Sequence, residues 1–163
     1  MRLTDDLLFR FSTHVDVRGT LVVAPSLQEP ALPFMAKRVF WITHIPTGAE
    51  RGGHAHRTCH EALVAVQGSC CITLLSPSIK HNQEEVVSNA SPEGTTMAFE
   101  QRDYELSSPD VALHIPPMVW CRLHSFSPDC ALLCFASEVY NESGYINTLD
   151  NLTISDIRAD QRA

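Results

Sequence analysis

Two histidines one residue apart, His54 and His56, lie just ahead of Glu61 in the stretch ERGGHAHRTCHEALVAVQG, residues 50–68. In an extended strand, side chains at i and i+2 share a face. If residues 52–57 are extended, both imidazoles project together. Two imidazoles on an inner face are costly unless they are hydrogen-bonded or bind something. Imidazole titrates near pH ~6.5, so it can accept and donate protons at neutrality. With a carboxylate and a thiolate, the pair could also complete a Zn²⁺ or Fe²⁺ shell. Glu61 has the parity of the apolar Leu63 and Ala65, so it is expected to point inward with the histidines. There it could serve as a ligand or hold one imidazole in a single tautomer. His60, one residue earlier, faces the other way.

The elements that must position these residues are short strands. Runs at GTLVVA (19–24), KRVFWITHI (37–45), EALVAVQG (61–68), SCCITLL (69–75), DVALHIP (110–116) and CALLCFAS (130–137) are rich in β-branched or aromatic residues. Each is bounded by Gly, Pro, Ser or Asp. Gly68 between two such runs signals a hairpin. No long segment has a helical period with caps, beyond a weak one near 153–162. This rhythm predicts an all-β sandwich or barrel, jelly rolls among the candidates. The chain of 163 residues is expected to form a single domain, 1–163. A polar stretch, residues 76–97, reads as an extended hairpin insertion, and 153–163 as a C-terminal tail.

The formal net charge of −7 argues against a nucleic-acid partner, but an anionic small molecule needs only one or two arginines. Arg51, Arg57, Arg102 and Arg122 are the candidates. No apolar run approaches the roughly 20 residues of a membrane span. The N-terminus MRLTDDLLFRF does not read as a signal peptide. The cysteines, Cys59, Cys70, Cys71, Cys121, Cys130 and Cys134, form no C-x-x-C pair. Reduced thiols in a cytoplasmic protein are therefore expected.

Counted out, the cluster reads Gly48, five residues, His54, one residue, His56, four residues, Glu61, six residues, Gly68. This resembles the first motif of the cupin superfamily, small jelly-roll barrels in which the two histidines and the glutamate face the interior. A second cupin motif usually supplies another histidine after a proline-rich turn. In HIPPMVWCRLHSF that position holds Cys121, and His124 has the opposite strand parity.

Several longer stretches are similar to one cupin branch, the nucleotide-sugar 3,4-ketoisomerases acting on dTDP-4-keto-6-deoxyglucose. They are VDVRGTLVVA (15–24), KRVFWI (37–42), RGGHAH (51–56), VAVQGSC (64–70), PPMVW (116–120) and FSPDCALLCFASEVYNESGYI (126–146). The resemblance implies a jelly-roll homodimer that exchanges N-terminal strands, works without a cofactor, and moves a keto group from C4 to C3 through an enediol. It makes His54 and His56 the acid–base pair and Arg51 a contact to the sugar or diphosphate. It puts Trp120 near the pocket mouth, and the substrate-binding set becomes Arg51, Glu61, Trp120, Cys121, Arg122 and Arg102. The chain departs from the branch at Phe40 and Trp41, where tyrosine is usual, at Cys121 (histidine), at Glu61 (glutamine) and at Gly144 (aspartate). Two other readings stand beside this one: a metal-dependent cupin using His54, His56, Glu61 and Cys121, and a non-catalytic nucleotide-sugar-binding cupin.

Overall fold

The computed structural model describes residues 2–24, 32–81 and 95–152. Within them the apolar runs become strands β1 (Leu8–Arg10), β2 (Ser12–Asp16), β3 (Gly19–Val23), β4 (Arg38–Ile42), β5 (Arg51–His56) and β6 (Glu61–Gln67). There follow β7 (Cys70–His81), β8 (Thr95–Leu106), β9 (Val111–Ile115), β10 (Trp120–His124), β11 (Ala131–Ala136) and β12 (Tyr145–Ile146). Three short 3₁₀ turns complete the described residues, which contain no α-helix. The weak helical period at 153–162 and the tail at 153–163 fall outside the described residues.

Two five-stranded antiparallel sheets form, ordered β1-β9-β6-β11-β4 and β12-β5-β10-β7-β8. The period-2 pattern explains why they face each other. Leu63, Ala65, Leu113, Ile115, Leu132 and Cys134 of the first sheet meet Ile72, Leu74, Leu106, Cys121 and Leu123 of the second in one buried core. Each fully buried Leu or Ile there contributes about 1.5–3 kcal/mol relative to exposure. This is the expected all-β double-sheet architecture.

The outer face of the first sheet is apolar as well. Ala62, Val64 and Ala112 are covered there by Phe11 and Leu32. That second layer explains why β6 reads as a nearly continuous apolar run rather than a clean alternation. Of the polar stretch 76–97, residues 76–81 and 95–97 continue the β7–β8 ladder, which pairs Cys70 with Leu106 at one end and His81 with Thr95 at the other. Residues 82–94 lie outside the described residues. The β2–β3 hairpin forms a separate two-stranded sheet, and its Val15, Leu21 and Val23 are exposed.

Candidate active site

Both members of the histidine pair lie on β5, as the period-2 argument requires. Their rings meet edge to face with centroids 5.0 Å apart. The strand reaches this position through a bulge. Cys121 of β10 pairs with His54 and Arg122 with Gly52, so Gly53 has no opposite residue. Gly52 and Gly53 have φ of +74° and +71°, the left-handed region that favours glycine. A Cβ at Gly52 would stand 2.8 Å from the carbonyl oxygen of Cys121. The close approach of β5 to β10 therefore requires the glycine.

Glu61 enters from β6 of the opposite sheet and is buried, as parity predicts. Its Oε1 lies 3.3 Å from His56 Nε2 and 3.6 Å from the Arg38 guanidinium. Arg38 comes from β4 and lies over the rings of Phe40 and Tyr140, at 5.0 and 5.7 Å from their centroids. On the other side, Tyr145 of β12 pairs in register with His56. Its ring lies 4.9 Å from that of His54 and 4.4 Å from that of His56. The Arg38 guanidinium also pulls the Tyr145 phenol down, against the effect of burial.

These groups surround a cavity between the sheets. His54, Glu61, Cys121, Tyr145 and the apolar Phe40, Ile42 and Leu63 line it. Burial, and then the neighbouring His56, pull the His54 imidazole below its ordinary range, so it is neutral at pH 7 and can accept a proton. Burial raises the Cys121 and Cys134 thiols above the ordinary thiol range, and it raises the Tyr145 phenol against the opposing pull of Arg38. All three are protonated at neutral pH.

His54, His56 and Glu61 offer potential ligand atoms within 4.8 Å of one another, and among the described residues they are the one such group. As a donor set they suit Zn²⁺ or Fe²⁺. The surroundings do not fit a resident cation. The Arg38 guanidinium already sets a positive charge against the Glu61 oxygen that faces His56, and Cys121 lies outside the group.

The other expected substrate contacts lie elsewhere. Trp120 and Arg122 alternate with the inward Cys121 and Leu123 on β10 and so point away from the cavity. Trp120 packs against Ala55, Met118, Ile146 and Leu152 instead. Arg122 lies 3.6 Å from Glu50, both exposed. Arg102 donates to the Leu3 carbonyl at 3.0 Å and pairs with Asp5, fastening the N-terminal turn. Arg51 is exposed at the start of β5, and Arg57 just past its end. Sequence reasoning did not single out Arg38, Tyr145 or Cys134. Their one signal is membership of the family-like stretches, Arg38 in KRVFWI and Cys134 and Tyr145 in FSPDCALLCFASEVYNESGYI.

The chain matches the family described as FdtA: WxcM-like, C-terminal, over residues 4–97 and 94–155. It is 31% identical over 147 residues to the TDP-4-oxo-6-deoxy-alpha-D-glucose-3,4-oxoisomerase of Aneurinibacillus thermoaerophilus, covering 90% of this chain and 89% of that protein. Among solved structures it is similar to QdtA, a sugar 3,4-ketoisomerase from Thermoanaerobacterium thermosaccharolyticum in complex with TDP. That match has a TM-score of 0.69 and 31% identity, covering 95% of this chain and 94% of the other. A 3,4-ketoisomerase from Helicobacter canadensis matches with a TM-score of 0.69 and 27% identity, covering 94% and 96%. The fold alone extends to a dTDP-4-dehydrorhamnose 3,5-epimerase from Bacillus anthracis, with a TM-score of 0.63 and 15% identity over 85% of this chain and 75% of that one.

Proposed function

The chain belongs to the FdtA, WxcM-like C-terminal family, and from that premise we propose that it is a sugar-nucleotide 3,4-ketoisomerase. It moves the keto group of a dTDP-linked 4-keto-6-deoxyhexose from C4 to C3, in deoxysugar biosynthesis. The observation that carries this reading is His54: an imidazole kept neutral by burial, facing a cavity, with His56 and Glu61 behind it.

The C4 ketone acidifies the proton on C3. Neutral His54 accepts that proton, leaving an enediol across C3 and C4. Return of a proton to C4 gives the 3-keto product, and His56, beside His54, completes the pair that handles the carbon-bound protons. Glu61 Oε1 stands 3.3 Å from His56 Nε2, which has no hydrogen bond, and so supplies the counter-charge when that ring carries a proton. Phe40, Ile42 and Leu63 line the cavity with hydrocarbon and keep bulk water from the enediol. Cys121, also in the wall, is a neutral contact where the resembled branch carries histidine. We assign Arg51, exposed at the start of β5 beside the cavity-lining Gly52, to the diphosphate, with charge-assisted hydrogen bonds.

The reading includes a homodimer with exchanged N-terminal strands, working in the cytoplasm. The β2–β3 hairpin supports the exchange, because it exposes Val15, Leu21 and Val23 and pairs with neither large sheet. The six free thiols suit a reducing compartment.

Purified protein mixed with dTDP-4-keto-6-deoxyglucose in D₂O should incorporate deuterium at C3 and accumulate the 3-keto isomer, and His54→Asn should do neither. Absence of both from the wild type sinks the reading. Binding of the sugar nucleotide without exchange would then favour a non-catalytic binding protein. A near-stoichiometric metal lost in Glu61→Ala would favour a metal-dependent cupin.

A further inference from the structure

A cluster of hydroxyl, imidazole and carboxylate groups lies on the outer face of the second sheet, away from the cavity. Ile72, Leu74, Tyr104, Cys121 and Leu123 of that sheet turn into the core, so the residues alternating with them turn out. Thr73 of β7 pairs in register with Asp103 of β8 on one side and Arg122 of β10 on the other. His124 lies two residues beyond Arg122 on the same face, and Ser125 follows as β10 ends.

Four of these side chains are joined in a row. Thr73 Oγ1 donates to Asp103 Oδ1 at 2.6 Å, and His124 Nε2 lies 3.0 Å from Thr73 Oγ1. His124 Nδ1 lies 2.9 Å from Ser125 Oγ. A threonine hydroxyl has a single proton. With that proton given to Asp103, Thr73 must accept from His124 Nε2–H. The neutral imidazole then has a bare Nδ1, which accepts from the Ser125 hydroxyl. The row therefore has one direction, from Ser125 through His124 and Thr73 to the carboxylate.

We propose that Ser125 is a nucleophilic acyl-acceptor site for small activated acyl esters and thioesters, with His124 as its base. It stands apart from the ketoisomerase reading and shares no residue with the cavity. As the Ser125 Oγ bond to the acyl carbon forms, the Oγ proton moves to His124 Nδ1. The bond from that carbon to the leaving oxygen or sulfur then breaks, and the leaving atom takes the proton from His124. One ester or thioester is exchanged for a serine ester, and no other reactant is needed. The imidazolium formed in passing donates to Thr73, whose own proton is held by Asp103, so the carboxylate stabilises the charge.

Exposure and backbone conformation fit this role. Thr73, in the middle of the row, is buried, whereas Ser125 is exposed and open to a reagent. Ser125 also has φ of +52°, a left-handed conformation that is costly for serine and holds its hydroxyl against the preceding ring. Thr43 and His44 supply an internal contrast. Thr43 Oγ1 lies 2.9 Å from His44 Nδ1, but among the described residues no relay stands behind His44.

Incubation of the whole protein with p-nitrophenyl acetate, followed by peptide mass spectrometry, tests the proposal. Ser125 should be acetylated faster than any other hydroxyl of the chain, Thr43 included. Thr73→Val keeps the shape of the side chain and removes its hydroxyl, and should slow acetylation of Ser125 by about 10²-fold. Thr73→Ser should restore the rate. Acetylation no faster at Ser125 than at other exposed serines overturns the inference, as does an unchanged rate in Thr73→Val. If Thr73→Val does not fold, Asp103→Asn removes the charge at the exposed end of the row and should slow the reaction about tenfold or more. An unchanged rate there overturns the inference equally.

Discussion

The molecule holds two histidine pairs on opposite sides of one sheet, and they have opposite fates. His54 and His56 meet edge to face, and His54 opens on a cavity with His56 buried behind it. His60 and His114 stack nearly parallel, at 15° and 5.2 Å, with His60 Nδ1 2.9 Å from His114 Nε2. Phe34 stacks on His60, and Phe9 meets His114 edge-on. In the second pair one ring nitrogen donates to the other, and aromatic rings close over both. In the first, the rings are turned against each other, and Glu61, Arg38 and Tyr145 bring charge and a hydroxyl to the same space. Ring spacing is similar in the two pairs, so proximity does not separate them. What separates them is whether the neighbouring side chains leave a nitrogen facing open volume.

The contrast can be broken from either side. The largest effect belongs to His54→Asn: turnover should fall by about 10³-fold, within the range for a lost acid–base group, with the thermal unfolding midpoint nearly unchanged. Next comes Glu61. Glu61→Leu leaves Arg38 and His56 facing hydrocarbon, so stability should fall by about 2 kcal/mol in denaturant titration and activity by at least about tenfold. Glu61→Gln retains an oxygen for both neighbours and should keep activity within about tenfold of wild type.

The pH responses separate the pairs further. Because His54 titrates below the ordinary imidazole range, kcat/KM should hold to a lower pH than an unperturbed imidazole would allow, and fall only as this base is protonated. His114 governs stability instead. Burial and the neighbouring His60 lower it to about 4, whereas an unfolded histidine titrates near ~6.5. Between those values the unfolded chain binds more protons, so stability is lost as pH falls from ~6.5 toward 4. The smallest effect is expected from His114→Gln: a flatter midpoint-versus-pH curve, by about 2–4 °C at its acid end, and turnover within about twofold of wild type at pH 7.

Period-2 patterning made the double sheet and the inward His54, His56 and Glu61 legible before any coordinates. It also carried more than was drawn from it. With Cys121 inward, the same parity puts Trp120 and Arg122 outward, where the structure has them. Strand β8 was not legible because its segment TTMAFEQRDYEL mixes charges into an edge strand held by its ladder to β7. Arg38 and Tyr145 escaped for a different reason. Their place at the site depends on β4 reaching β6 through β11, and on the two-residue β12 adding to β5. Those are long-range pairings that no local spacing encodes.

Gly52 contributes no functional group, yet the backbone path that delivers the histidines runs through it. In a deep mutational scan scored by growth or turnover, this column should be as intolerant as that of His54, and for unrelated reasons. Replacements at His54 would give folded, silent protein; replacements at Gly52 would push β5 off the Cys121 carbonyl and lower the yield of folded protein. Gly53 shares the left-handed backbone but has open space where a side chain would grow. Asparagine, which tolerates that backbone best among the other residues, should be admitted at Gly53 and refused at Gly52. An engineer reshaping this pocket would therefore have to hold fixed a position that carries no side chain at all.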